Sequence, residues 1–240
     1  MNKVNNPKIS VLMACFNSSK TIKESIDSVL DQTFRNFEFL IIDDCSSDDT
    51  FKKLQNYKNL DSRIRVFKNN KNIGLTKSLN ILISQTTAPF IARQDADDIS
   101  IKSRFEKQFS TLKNNKYDVC TTRAKIKNSN RKIPKYSYLI PKKLIIKHKN
   151  PFIHGTLMIK KDALESVGCY NEKFYYSQDY ELFYKLLKKN FKFKNIQEPL
   201  YVLNTEDNIS KKFQKEQKYY SDCVKARKDP MPIENIKIFD

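Results

Sequence analysis

Residues 89–109 read PFIARQDADDISIKSRFEKQF, and this passage from apolar to acidic and back to apolar sets the frame for the chain. Phe90, Ile91 and Ala92 form a short apolar run behind Pro89, the pattern of a buried strand. The run breaks off at Asp95, Asp97 and Asp98. Beyond them Phe105, Phe109 and Leu112 recur at spacings of four and three, which predicts a helix. Adjacent acids at a strand end repel one another unless a positive charge sits among them. A divalent cation with hard oxygen ligands, shared with a phosphate-bearing substrate, would reconcile them. A solvated acidic turn capping the next helix explains the same residues, so the rest of the chain must decide.

Upstream, the same alternation repeats. Lys8 to Cys15 (KISVLMAC) is almost continuously apolar, as a central parallel strand should be. Asn17, Ser18 and Ser19 supply turn and cap residues before a helix with Ile22, Ile26, Val29 and Leu30 on one face. Phe37 to Ile42 reads as a second buried strand that ends on Asp43 and Asp44. A helix from Thr50 to about Tyr57 and a strand at Ile64 to Phe67 follow. Gly74 then opens a helix with Leu75, Leu79, Leu82 and Ile83 inward. Strand and helix alternate with short connections, which predicts an α/β fold whose central sheet is mainly parallel, with helices on both faces. In such sheets the ligand crevice lies beyond the carboxyl ends of the strands. Three strand ends carry suitable groups: Cys15-Phe16-Asn17, Asp43-Asp44 and Asp95-Ala96-Asp97.

Downstream, Tyr117 to Thr122 reads as a strand, followed by a basic segment punctuated by Pro134, Pro141 and Pro151. Ile153 to Ile159 is expected as a strand, Ala163 to Val167 as a short helix stopped by Gly168, and Ser177 as the start of another helix. The apolar stripe Leu182, Phe183, Leu186 and Leu187 on that helix is core packing. Two short strands, Phe191 to Ile196 and Leu200 to Leu203, and a Lys-rich helical tail from Ser210 complete the expectation.

Composition narrows the function classes. A chain of 240 residues suits one α/β domain or, less naturally, two small ones. The net charge of +18 is uneven: Val119 to Lys161 holds twelve Lys and Arg and no acid. Such a segment suits nucleic acid, an anionic membrane surface or a phosphorylated acceptor, or it is a solvated face. No apolar run approaches the roughly 18–20 residues that span a bilayer. The segment MNKVNNPK does not read as a secretory signal, so a cytosolic location is expected. Five scattered cysteines and two histidines argue for reduced buried thiols and against a zinc site.

Six segments carry a resemblance. ISVLMACFN, FLIIDDCSSDDT, NNKNIGLTKSLN, PFIARQDADDISIKSRFEKQ, FIHGTLMIKKDALESVGCYNE and YYSQDYELFYKLLK occur in this order from residue 9 to about residue 190. Together they resemble glycosyltransferase family 2, the nucleotide-sugar-dependent transferases with the GT-A fold. The chain is similar to the bacterial members that build capsule, O-antigen and lipooligosaccharide. The expected organisation is a GT-A domain over residues 1–205, with a nucleotide-binding half at about 8–118 and an acceptor-side half at about 119–205. A basic helical tail at 206–240 lies outside the resemblance.

The resemblance implies roles for particular residues. Ala14, Phe16, Asn17, Asp43, Asp44, Asp95 and Ala96 would line the nucleotide sugar, and Asp97 would bind Mn²⁺ or Mg²⁺. Asp43 or Asp44 suits a uracil imide N–H, because a carboxylate only accepts. Phe16 would pack on the base, or else in the core. Asp98 is expected to cap the following helix. Asp179 would be the general base for the acceptor hydroxyl, or else an acid placed for the helix dipole. His154 and Gln178 are candidates for acceptor or diphosphate contacts, and a neutral core or turn histidine is the other reading of His154. Gln178 stands where the family usually has Glu. Leu79 precedes Asn80 where the family often has Arg, which leaves Lys77 or Arg93 as the cation for a phosphate.

The implied activity is inverting transfer from a UDP-sugar to a glycan or lipid-linked acceptor. The basic segment would face the anionic inner leaflet or a phosphate-bearing acceptor, with no nucleic acid as partner. A sugar nucleotidyltransferase would want a Gly-rich loop where ACFNSSK stands. A basic, non-catalytic binding module for nucleic acid or membrane explains the charge but leaves the strand-end acids without purpose.

Overall fold

The computed structural model describes residues 6–129, 131–136, 140–205 and 213–231. Strands β1 (Ile9–Cys15), β2 (Phe37–Asp43), β3 (Ile64–Lys68) and β4 (Phe90–Arg93) alternate with helices α1 (Ile22–Leu30), α2 (Thr50–Leu60) and α3 (Leu75–Ser84). These strands pair in parallel in the order β3-β2-β1-β4. Each helical return is short, so every strand leaves the sheet at the same edge.

The apolar runs follow from burial on two faces. Val11 and Met13 of β1 join Phe39 and Ile41 of β2 under α1, where Ile22, Ile26 and Val29 are buried. Leu12, Leu40 and Ile42 point the other way, against Leu79, Leu82 and Ile83 of α3. Truncating one such leucine to alanine would cost about 2–5 kcal/mol. That period-2 division between two cores fixes the register.

Past β4 the sheet changes character. It continues through β8 (Met158–Lys160), β6 (Val119–Ile126), β9 (Phe193–Leu203) and β5 (Ile99–Ser100), and β7 (Lys132–Ile133) pairs with β6. Of these pairings only β6 with β9 is parallel. The sheet is therefore parallel across its first four strands and mixed beyond them. Helices α4 (Arg104–Leu112), α5 (Lys142–Ile145), α6 (Lys161–Ser166), α7 (Gln178–Lys188) and α8 (Gln214–Ala226) surround it.

Three local expectations need correction. The two short strands after residue 190 are one strand, β9, whose register against β6 shifts around Arg123, opposite Pro199. Proline has no amide to donate, so the ladder bulges there and then resumes. The strand expected at Ile153 to Ile159 begins as a 3-10 turn, His154–Thr156, and only Met158–Lys160 extends. The tail expected from Ser210 is helical over Gln214–Ala226, and its first residues lie outside the described ones. Tyr220 and Val224 of α8 are buried in the same apolar cluster as Phe174, Tyr176 and α7.

Candidate active site

The carboxyl ends of β1 and β2 are tied together by their own loops. Asn17 adopts a left-handed backbone (φ 48°), a conformation Asn tolerates. Its amide donates to Ser46 Oγ at 2.9 Å, and its Oδ1 accepts from the Ser47 amide at 2.9 Å. The Ser18 amide reaches Thr50 Oγ1 at 2.8 Å, and the Ser19 amide reaches Asp48 Oδ2 at 3.0 Å. Burial works against the Asp48 carboxylate, but bonds from Thr50 and Ser19 outweigh it and hold its pKa down to about 2. Ala14 is half-buried at the end of β1, and Phe16 is 48% exposed at the mouth of this loop pair.

The two adjacent aspartates have different surroundings. Asp43 is fully buried; its Oδ2 accepts from the Ser46 amide at 3.2 Å, and among the described residues its Oδ1 has no partner. Asp44 organises the turn before α3. Its Oδ1 accepts from Asn69 Nδ2 (2.8 Å) and the Ile73 amide (3.0 Å), and its Oδ2 from the Gly74 amide (2.8 Å). A carboxylate offers about four lone-pair sites, so three donors leave Oδ2 with room for one more.

The acidic loop after β4 is held from below. Ser25 Oγ of α1 donates to Asp95 O at 2.7 Å, and Thr21 Oγ1 donates to the Ala96 carbonyl at 3.0 Å. Gln94, fully buried, donates to Asp95 O and Asp98 O and accepts from Ser100 Oγ. Arg93, also buried, pairs with Asp95 Oδ1 at 2.5 Å, and Arg104 donates to the Arg93 and Gly155 carbonyls. Burial lowers the Arg104 pKa to about 10. Among the described residues no cation pairs with the Asp97 carboxylate. Burial and then the charge of Asp95 push its pKa up to about 6. Asp98 is raised too, by burial first and then by Asp95 and Asp97.

The start of α7 lies near the acidic loop, where Asp179 feels the charge of Asp95. Asp179 accepts from Asn150 Nδ2 at 2.7 Å and from the Tyr180 amide at 2.8 Å. Burial pushes its pKa up to about 6; those bonds oppose the rise and the charge of Asp95 adds to it. His154 Nε2 lies 2.6 Å from Tyr170 Oη. Burial, then Arg93, keeps this imidazole well below its ordinary pKa, and therefore neutral. Burial raises the Tyr170 phenol, which also feels Asp179 and Asp95. Gly155, the next residue, has no room for a side chain: a Cβ there would lie 2.6 Å from Asp95 Oδ2 and clash with Tyr201 Oη.

The family model described as Glycosyl transferase family 2 matches residues 10–171. The chain belongs to this family. Among its curated relatives, the putative glycosyltransferase EpsE of Bacillus subtilis is 32% identical over 215 residues, covering 86% of this chain and 76% of EpsE. WfgD of Escherichia coli, named as a UDP-Glc:alpha-D-GlcNAc-diphosphoundecaprenol beta-1,3-glucosyltransferase, is 33% identical over 184 residues, covering 76% of this chain and 70% of WfgD. S. aureus TarS 1-349 in complex with UDP-GlcNAc superposes with a TM-score of 0.72 at 23% identity, over 84% of this chain and 59% of TarS. The Pyrobaculum calidifontis mannosyltransferase PcManGT, solved with GDP-Man and Mn2+, gives 0.74 at 16% identity, over 98% of this chain and 68% of its own. The fold is GT-A. The chain is a family 2 glycosyltransferase related to enzymes of bacterial polysaccharide biosynthesis.

Set in that fold, the expected residues fall into two groups. Ala14, Phe16, Asn17, Asp43 and Asp44 cluster at the β1 and β2 ends, while Asp95, Ala96 and Asp97 share the loop after β4. His154 and Asp179 stand on the far side, near enough to Arg93 and Asp95 to feel their charge. Gln178 is the buried first residue of α7. Two expectations fail. Asp98 does not cap α4, whose N-cap is Ser103; it accepts the Asn204 amide at 2.7 Å and so ties the acidic loop to the end of β9. Arg93 does not reach a phosphate, because it is sealed beneath Asp95. Lys77 is exposed on α3.

Tyr170, Tyr201, Arg104, Gln94 and Asn150 were missed. Tyr170 lies inside the quoted GCYNE segment and was within reach. Tyr201 and Asn150 arrive from remote chain and carry no local signal.

The residues present fit a divalent ion. Half-buried Asp97 has its pKa raised by burial first and then by Asp95, a cost that a cation would relieve. Among the described residues no three His, Cys, Asp or Glu side chains form a ready cage. An ion here would therefore complete its shell with donor phosphates and water, the usual habit of Mg²⁺.

Proposed function

We propose that this glycosyltransferase moves a sugar from a UDP-sugar to a glycan or lipid-linked acceptor, in one inverting displacement that depends on a divalent metal. The observation that carries the reading is Asp179: a carboxylate held by Asn150, pushed up to about 6 by burial, and near enough to Asp95 in the acidic loop to feel its charge. A base poised near the working pH removes a proton most efficiently. Asp179 takes the proton of the acceptor hydroxyl. The acceptor oxygen then forms its bond to the anomeric carbon as the bond to the diphosphate oxygen breaks on the opposite face. UDP departs with that electron pair, and the configuration inverts.

On the donor side, Asp44 accepts the uracil N–H with its remaining Oδ2 lone pair, and exposed Phe16 packs on the base. Asp43 is sealed and shapes the loop instead. Asn17 holds the two loops in register, Ala14 and Ala96 line the pocket, and Asp95, fixed by Arg93, faces the ribose or sugar. A metal on Asp97 supplies charge neutralisation for the leaving diphosphate. Neutral His154, oriented by Tyr170, and Gln178 contact the acceptor or diphosphate. A diphosphate-linked lipid acceptor agrees with the name of WfgD.

The basic segment adds a place for such an acceptor to arrive. Exposed Tyr136, Ile140 and Leu144 accompany Lys142, Lys143, Lys147 and Lys149 in the acid-free run. Apolar groups among lysines suit the interface of an anionic leaflet, so the enzyme docks peripherally on the inner face of the membrane. Changing those four lysines to Gln would abolish cosedimentation with anionic vesicles at low salt; a wild type that stays unbound would end the docking reading.

The test of the main reading is a panel of UDP-sugars with Mn²⁺ or Mg²⁺, scored for UDP release. Release from one donor, lost with chelator and in Asp97→Ala, is the expected result. Release that ignores chelator would refute the metal role, and no release from any UDP-sugar would refute the donor class.

A further inference from the structure

We infer that Asn150 is the positioning residue of the base: its side-chain amide aims the Asp179 carboxylate and favours the ionised form that takes the acceptor proton. This deepens the proposed function and rests on Asp179 being the base. Asn150 acts through Asp179, not on the substrate. An aspartate in the first turn of a helix is drawn toward the free amides of that turn, and Asp179 Oδ1 accepts the Tyr180 amide at 2.8 Å. Its Oδ2 is claimed from outside the helix, by Asn150 Nδ2 at 2.7 Å. A second contact settles which way the asparagine points. Asn150 Oδ1 accepts from the Phe152 amide at 3.0 Å. Flipped end for end, the side chain would set its oxygen against a carboxylate and its NH₂ against an N–H, so the donor end must face Asp179.

The donor is held by the core. Phe152 packs on Phe183 of α7 with centroids 4.7 Å apart and on Phe193 of β9 at 5.0 Å. On the other side of Asn150, Ile146 is buried and its carbonyl accepts from Tyr180 Oη at 2.7 Å. The chain is thus joined to α7 both before and after Asn150, and α7 carries the base. A donor fixed in this way meets the carboxylate without having to be ordered first.

A neutral donor on a carboxylate favours the charged form without burying a second charge. The charge of Asp95, from the loop after β4, works the other way: it adds to the burial that raises Asp179, while the bonds from Tyr180 and Asn150 oppose the rise. The Tyr170 phenol feels the charge of Asp179, and it also meets His154 Nε2 at 2.6 Å and the charge of Arg93. Lys147, His148 and Lys149, which precede Asn150, are exposed. Among the described residues no Lys or Arg forms an ion pair with Asp179. The base therefore keeps its charge by hydrogen bonds, and Asn150 supplies the one that comes from a side chain.

The test removes the donor with and without the turn. Asn150→Asp keeps an oxygen for the Phe152 amide but sets a second carboxylate against Asp179, and Asn150→Ala removes both contacts. Two readouts are taken on the full chain, with thermal melting to verify folding. One is the pH profile of UDP release with the donor found by the panel; the other is carbon-13 NMR titration of the Asp179 carboxyl, assigned with Asp179→Asn, which needs no donor. In Asn150→Ala the acid limb and the carboxyl titration should both move up by about one pH unit. Its plateau kcat should fall about tenfold, with the donor KM within about twofold of wild type. In Asn150→Asp the two carboxylates titrate together, and the upward shift should exceed about one pH unit. That variant carries the test if the alanine variant does not fold. A limb and a carboxyl titration that stay at the wild-type position in both variants, or a loss of kcat with no shift, would overturn the inference and leave the base reading standing. Turnover that survives Asp179→Asn would overturn the base reading and this inference with it.

Discussion

Two aspartates near helix starts behave in opposite ways. Asp48, at the entry to α2, has its pKa pulled down to about 2, whereas Asp179, in the first turn of α7, is pushed up to about 6. Asp48 is exposed, and its hydrogen bonds outweigh the burial it feels, whereas at Asp179 burial outweighs the bonds and the charge of Asp95 adds to it. On the donor side the loops of β1, β2 and α3 answer almost every carboxylate with backbone amides and hydroxyls. In the acidic loop after β4 and at the start of α7, Asp97, Asp98 and Asp179 retain an electrostatic cost that the fold leaves in place. Under the proposed function the difference separates two tasks. Binding a nucleotide calls for rigid, satisfied loops, while moving a proton calls for a carboxylate whose charge is not already spoken for.

The comparison can be broken by stability measurements, because the two sides should respond with opposite signs. Asp44→Ala strands the Ile73 and Gly74 amides and the Asn69 side chain, and urea unfolding should show a loss of about 3 kcal/mol. Gly155→Ala, at the junction of the two sides, forces a methyl against Asp95 and Tyr201 and should cost about 2 kcal/mol, with activity falling alongside.

Asp179→Asn should instead stabilise the protein, by about 1 kcal/mol at pH 7–8. The sign follows from linkage. The folded pKa of about 6 lies above the unfolded value near 3.8, so the folded state binds the proton more tightly. Wild type therefore loses stability from this group as pH rises from about 4 to 6, and the gain of the Asn variant should vanish at about pH 4. An Asn variant less stable than wild type at pH 8 would show that Asp179 is a satisfied helix acid like Asp48. The smallest effect concerns the pH profile of turnover, whose acid limb should lie near the Asp179 value of about 6.

The part proposed to bind the donor was far more legible in the sequence than the part proposed to meet the acceptor. Strands β1, β2 and β4 are buried on both faces, so KISVLMAC, FEFLII and PFIA announce themselves, and the helices between them keep a clean apolar stripe. The acceptor side is built from antiparallel and irregular pairings whose partners lie far apart in the chain. Pro199 divides one strand into two apparent ones. His154–Thr156 coils where apolar neighbours suggested extension. Asp98 looked like a cap because its true partner, the Asn204 amide, is 106 residues away. Tyr175 is equally silent in sequence: its contact with Gly74 exists only once α3 and the segment before α7 pack together. Carboxylates at strand ends were readable because the α/β pattern fixes where strand ends go; the tyrosines that pack near them, Tyr175 and Tyr201, were not.

The most direct test of the account compares transfer and nucleotide binding in a single variant, Asp179→Asn. With the donor found by the UDP-sugar panel, turnover should fall by about 10³-fold or more while affinity for UDP stays within about twofold of wild type. Turnover that persists at a tenth or more of the wild-type rate would contradict the assignment of Asp179 as the base. A parallel collapse of UDP affinity would contradict the separation of the two sides of the crevice.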